Sequence, residues 1–170
     1  MNAWGEWGNV SFSLTNTDPQ IRITREADGY WSYLGTDVEH IAADQPTMCL
    51  QGFTMDTVDS EFYRVVRHET GHTLGFPHEH LRKQLVDRID PQKAIDYFQA
   101  NGGWDAQMTT AQVLTPIERS ALIATEDADE RSIMCYGLPA QIMKDDTAIP
   151  GGTDIDAMDQ EFIAKHYPLP

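Results

Sequence analysis

The segment HETGHTLGFPHEH, residues 68–80, places four histidines and two glutamates in thirteen positions. The run leading into it, DSEFYRVVRHETGHTLG (59–75), sets Phe62, Val65, Val66 and Leu74 at helical spacing behind an N-cap at Asp59 or Ser60. On that helix His68 and His72 stand four residues apart, so both imidazoles share one face and can share one metal ion. Glu69 sits one step round, within reach of a water on that metal without being a ligand itself. Glycine tolerates the left-handed backbone that ends a helix, so the chain can turn at Gly75 and bring His78 back under the first two histidines. Three neutral nitrogen donors with a fourth position left for water describe a catalytic zinc rather than a structural one. At about 5% usage per residue type, His-Glu-x-x-His alone arises by chance in roughly 2% of chains of this length. Requiring Gly75 and His78 as well removes a further factor of about 400.

His68, Glu69, His72, Gly75 and His78 resemble the extended zinc motif of the metzincin metallopeptidases, and the accompanying Phe76 and Glu79 look most like its astacin branch. Downstream, Ser132-Ile133-Met134-Cys135-Tyr136 resembles the Ser-x-Met-x-Tyr Met-turn of that clan, with Cys135 where astacins commonly carry histidine. The resemblance implies that Met134 forms an apolar floor beneath the zinc. It also implies that Tyr136 is a switchable extra ligand, free to swing away and hydrogen-bond the reacting carbonyl oxygen. It makes Pro46 to Phe53 an edge strand whose Thr47–Phe53 backbone takes an extended substrate as an added strand. GLPAQIM (137–143) then walls the pocket for the side chain after the scissile bond. In astacins the glutamate matching Glu79 ties to the buried N-terminus of the mature enzyme; a local salt bridge is the alternative here. Only Ala3 to Trp7 precede NVSFSLT, where metzincins have a strand and a long helix, so either a truncated N-terminus or a compact variant is expected.

These readings combine into an α+β, metzincin-like domain. It has a small mixed sheet, an active-site helix and a helical C-terminal lobe, with zinc in the cleft between the lobes. Residues 1–170 form one catalytic domain, 1–78 its N-terminal lobe and 79–170 its C-terminal lobe. The expected activity is zinc-dependent endopeptidase action on extended polypeptides. Glu69 serves as general base and acid, and zinc and Tyr136 stabilise the oxyanion. Two rivals are a catalytically silent zinc-binding module that recognises peptides, and a hydrolase of non-peptide amides. An intact Glu69 argues against the first, because a binding module needs no general base.

Composition bounds the alternatives. The chain has 170 residues, 41% of them hydrophobic, which suits one soluble domain with a sizeable core. A net charge of −15 argues against a nucleic-acid partner, which demands the opposite sign. No apolar run approaches the length of a membrane span, and MNAWGEWGNV does not read as a signal peptide. An extracellular monomer is expected, its leader removed or omitted. Two cysteines make no disulfide framework, and a Cys49–Cys135 bridge is disfavoured.

The first third reads as strands: NVSFSLT and QIRIT alternate, a turn at Asp28-Gly29 leads into YWSYLG, and PTMCLQGF comes next, its Pro46 suited to an edge. Asp90-Pro91 opens a helix closed by Gly102-Gly103, Thr115-Pro116-Ile117-Glu118 opens a second, and Thr153 to Asp156 a last one. Asp154, Asp156 and Asp159 suit helix-start carboxylates better than calcium ligands, which leaves calcium undecided beside zinc. His80 is expected to be exposed or to support the ligands; His40 and His166 lie far from the motif, and Trp31, Tyr33 and Trp104 read as core or cleft wall. Glu126 to Glu130 holds four carboxylates in five residues, either a solvated loop or an attractor of basic substrate side chains.

Overall fold

Three short extended pieces pair into one sheet, and their order settles which backbone is accessible. The computed structural model describes residues 1–26, 29–118 and 123–170. Strands β1 (Ile23–Thr24), β2 (Tyr30–Ser32) and β3 (Met48–Leu50) pair in the order β1-β3-β2. β3 runs parallel to β1, with Ile23 opposite Met48, and antiparallel to β2, with Trp31 opposite Cys49. The Pro46–Phe53 segment is therefore not an edge. Met48, Cys49 and Leu50 are all buried, Met48 and Cys49 are paired with a strand on either side, and the edges fall to β1 and β2. Nor is NVSFSLT a strand: Leu14 is fully exposed, and the Phe12 backbone is held instead by the Asn2 side-chain amide at 2.7 and 2.9 Å. Alternation without a partner strand or a covered face does not make a sheet. Of the expected Asp28-Gly29 turn, Asp28 lies outside the described residues; Gly29 has a φ of +80°.

The chain divides into two compact units, Met1–Pro77 with Asp154–Pro170, and His78–Thr153. In the first, helix α1 (Asp59–Thr73) lays Val65 and Val66 against Met48, Leu50 and Phe53. Its N-cap is Val58 rather than Asp59 or Ser60. Asp59 and Glu61 lie in the first turn, where acidic charge meets the positive end of the helix dipole. Trp4, in a 3-10 turn over Asn2–Glu6, is fully buried and donates its indole N–H to Arg67 O at 3.0 Å. The last helix, α5 (Ala157–His166), also belongs to this unit and not to a 79–170 lobe. Tyr167 accepts from Asn9 N at 2.7 Å and donates its hydroxyl to Leu74 O at 2.8 Å, and Phe162 packs edge-on against Phe76. Asp156 and Asp159 start the helix as a reciprocal capping box.

In the second unit, α2 (Lys83–Val86) is a single turn and α3 (Pro91–Gly102) is the principal helix. Asp90 accepts from the Gln92 and Lys93 amides, and Gly103 takes the left-handed position after the last turn, as expected. The chain then forms α4 (Ala106–Thr109), capped by Asp105, and runs on into a π-helical turn over Thr110–Leu114. The helix expected to start at Thr115 is not present through Glu118, and residues 119–122 lie outside the described residues. Leu85, Ile89, Ala94, Val113, Leu138, Ile142, Met143 and Ile149 form this unit's core.

Two glycines hold the end of this unit against the segment around Met134. Gly152 donates to Cys135 O at 3.1 Å, and a Cβ there would overlap the Ser132 carbonyl; a Cβ on Gly151, whose φ is +71°, would overlap Gly137 N. Gly152→Ala should lower unfolding stability by roughly 1–3 kcal/mol through overpacking. Gly102→Ala, with only ordinary side-chain contacts around it, should be neutral or slightly stabilising. Urea midpoints check both, and a Gly152→Ala variant as stable as the parent contradicts the close approach.

Candidate metal centre

Helix α1 ends in a way that leaves little freedom to the residues after it. Phe76 N bonds Gly71 O at 2.9 Å and Gly75 N bonds His72 O at 2.8 Å, the paired bonds of a Schellman cap. Gly75 has a φ of +91°, and the Gly35 backbone approaches so closely that a Cβ on Gly35 would stand 3.3 Å from Gly75 Cα. The same turn serves the site directly, because the Phe76 carbonyl meets His72 Nδ1 at 2.7 Å. That bond assigns the proton to Nδ1 and leaves Nε2 as the donor atom for a metal.

His68 and His72 are both buried, with ring centroids 4.7 Å apart at 89°. Together with His78 they form a group whose ligand atoms all lie within 4.8 Å of one another. Three imidazole nitrogens suit a borderline cation such as zinc. Glu69 supplies an independent check on that fit. It is 3% exposed, and its Oε2 has no hydrogen-bond partner. Burial pushes its carboxyl up to about 8, with the Arg64 charge pulling it partly back. A buried, unsatisfied carboxylate is costly. A divalent cation at the adjacent histidines favours the ionised form and offsets that cost.

The Met134 segment is a tight turn. Cys135 N bonds Ser132 O at 2.9 Å, Met134 N bonds Ser132 Oγ at 3.0 Å, and Met134 is buried. Glu79 grips this turn twice: its amide donates to Met134 O at 2.9 Å, and its carboxylate accepts from Asp129 N at 3.0 Å and from Arg82 at 2.8 Å. Burial raises the Glu79 carboxyl, opposed by that backbone hydrogen bond and by Arg82. The local salt bridge is thus the arrangement found. Arg82 lies outside the zinc motif, and its only signal in the sequence is an acid and a base three residues apart. Tyr136 lies with its ring centroid 4.4 Å from that of His78. His80 is fully buried rather than exposed, and stacks on Tyr136.

Other candidates go elsewhere. His40 is exposed, and His166 packs on Phe162. Cys49 and Cys135 are buried thiols, donating to Glu26 O and Tyr136 O. Asp154 pairs with Arg67. Trp104 stacks on Phe98, and Trp31 meets Tyr33 edge-on. Within GLPAQIM, Leu138, Ile142 and Met143 fill the core, Pro139 and Ala140 are half-buried, and Gly137 and Gln141 are exposed. The acidic loop is largely tied down. Glu130 pairs with Arg88, Asp129 caps Arg131 N, and only Glu126 and Asp127 remain exposed among its carboxylates. Among the described residues no helix is long and apolar enough to cross a membrane.

No protein-family model matches the chain. Over 102 residues, 59% of the chain, it is 34% identical to the zinc metalloproteinase nas-27 of Caenorhabditis elegans, and it spans only 21% of that protein's length. Two solved structures of myroilysin superpose on 98% of the chain. One has a TM-score of 0.91 at 29% identity over 82% of its own length; the other has 0.68 at 30% over 73%. The fold is also that of high choriolytic enzyme 1, a hatching-enzyme zinc-protease of the medaka Oryzias latipes, with a TM-score of 0.61 at 21% identity over 80% of that chain. Donor set and likenesses together make one zinc ion the cofactor of the histidine group. His72→Ala should therefore lose the single equivalent of zinc that the parent retains on dialysis. Stoichiometric metal surviving in the variant would remove His72 from the site. The chain belongs to the astacin-type metzincins, a family of zinc metallopeptidases.

Proposed function

We propose that the chain is a zinc-dependent endopeptidase that hydrolyses extended polypeptides, with Glu69 as general base and acid. The observation that carries the reading is a buried carboxylate with an unsatisfied oxygen, one residue from the first of three clustered histidines. When bound, zinc supplies Lewis acidity that polarises the scissile carbonyl and makes a water acidic near neutrality. His68, His72 and His78 hold it as neutral donors. Glu69 takes the proton of the attacking water on its carboxylate and delivers it to the leaving amide nitrogen. The Tyr136 hydroxyl donates a hydrogen bond to the carbonyl oxygen as negative charge develops there. Met134 serves as the apolar support and Gly75 as the turn that completes the ligand set.

The strand expected to receive substrate is β2 rather than the Thr47–Phe53 backbone. β2 is an edge of the sheet, and Ser32 bonds Thr73 at 3.1 Å, one residue beyond His72. An extended peptide adding to that edge would run beside the end of the active-site helix. A silent peptide-binding module is disfavoured by Glu69, whose burial gives such a module cost without use. The reading takes the chain as a monomer acting outside the cell, the location resting on family resemblance.

Zinc-loaded protein incubated with a denatured protein mixture should generate new peptide termini, mapped by mass spectrometry. Glu69→Gln should keep zinc and fold yet lose turnover by about a hundredfold or more, the usual scale for a general base. Comparable turnover at equal zinc occupancy would overturn the assigned role.

A further inference from the structure

His80 stands two residues past the third metal ligand, yet both of its ring nitrogens are already engaged. Nε2 meets Gln112 O at 2.9 Å, and the Tyr136 amide donates to Nδ1 at 3.4 Å. Both contacts are satisfied at once only by the neutral tautomer carrying its proton on Nε2. The ring lies nearly parallel to that of Tyr136, with centroids 4.4 Å apart and planes 15° from coincidence. It also stands 4.9 Å from the His78 ring, so the three rings form one packed group.

The anchor is unusual. Gln112 belongs to the π-helical turn Thr110–Leu114, a distortion that re-aims carbonyls away from the regular helical ladder. The adjacent Val113 is buried in the core with Leu85, Ile89 and Cys135, which fixes the turn in place. A core-filling residue would need the ring face but neither nitrogen. His80 uses all three: one edge tied to the π turn, the other to the Tyr136 backbone, and the face against the Tyr136 side chain.

We infer that His80 is a positioning residue, held by the Gln112 carbonyl, that fixes the backbone and ring orientation of Tyr136 from which its hydroxyl meets the reacting carbonyl oxygen. This rests on the reading of Tyr136 as a catalytic donor. Displacing the phenol by a fraction of an ångström weakens a hydrogen bond that forms mainly in the transition state, so the loss falls on kcat. The ligand set is untouched, so zinc content stays the same.

The test is a double-mutant cycle on the zinc-loaded enzyme with His80→Gln, which keeps a donor and an acceptor but removes the stacked ring, and Tyr136→Phe. Expected is a fall in kcat of about tenfold for His80→Gln, with little change in KM and one zinc per chain, and no further fall when the substitution is made in Tyr136→Phe. Equal falls in both backgrounds would show a general structural role and overturn the inference. If Tyr136→Phe alone leaves kcat intact, the catalytic reading of Tyr136 fails and the positioning role with it. A second readout needs no turnover. In the zinc-loaded protein labelled with 3-fluorotyrosine, the resonance missing from Tyr136→Phe should shift in His80→Gln, which removes the stacked ring, and shift less in His80→Phe, which keeps a ring but loses both nitrogen contacts; an unmoved resonance in His80→Gln contradicts the stacking role.

Discussion

The site depends on how one helix ends. Helix α1 presents two histidines on one face, but two ligands on a rigid element do not define a catalytic metal site, and the third must come from chain that has left the helix. The Schellman cap at Gly75 does this with two backbone hydrogen bonds and one left-handed residue. A side chain at position 75 would strain the φ of +91°, and one at position 35 would press on the same turn. The turn's own carbonyl orients His72, so the element that redirects the chain also selects which imidazole nitrogen faces the metal.

The second constraint is electrostatic. Glu69 is buried beside the ligands with its carboxyl pushed up to about 8, so at neutral pH the metal-free protein favours its neutral, protonated form. The general base proposed at Glu69 would have to be ionised, and a cation held by the neighbouring histidines would favour that form. On that proposal, metal binding and ionisation of Glu69 would be one event. Glu79 illustrates the contrasting case. Its carboxyl is also raised by burial, but Arg82 and the Asp129 amide satisfy it, and it works as a clamp on the Met134 turn.

The features legible in the sequence are those set by local spacing. The 68–78 motif, the Asp90 and Asp156 caps and the Gly103 stop are encoded within a few residues of one another, and the structure has them in place. Sheet order is not local: PTMCLQGF reads as an edge because of Pro46, but its pairing with β1 and β2 depends on residues some twenty positions away. The alternation of Val10, Phe12 and Leu14 misleads for the same reason, since no strand pairs there. Around the site, His80 looks like a bystander in the sequence and the partner of Glu79 stays open there, because Asp129, Gln112 and Tyr136 arrive from thirty to sixty residues downstream. The assignment of α5 to the first unit likewise rests on Asn9 and Leu74, distant in the chain from Tyr167.

One helix, one glycine turn and His78 bring three imidazole nitrogens to a single zinc. X-ray absorption at the zinc edge of the metal-loaded protein tests it most directly. Three imidazole scatterers at about 2.0–2.1 Å are expected, with the remaining position filled by oxygen. A sulfur scatterer near about 2.3 Å, which would bring Cys49 or Cys135 into the shell, or a fit with only two imidazoles, would contradict it.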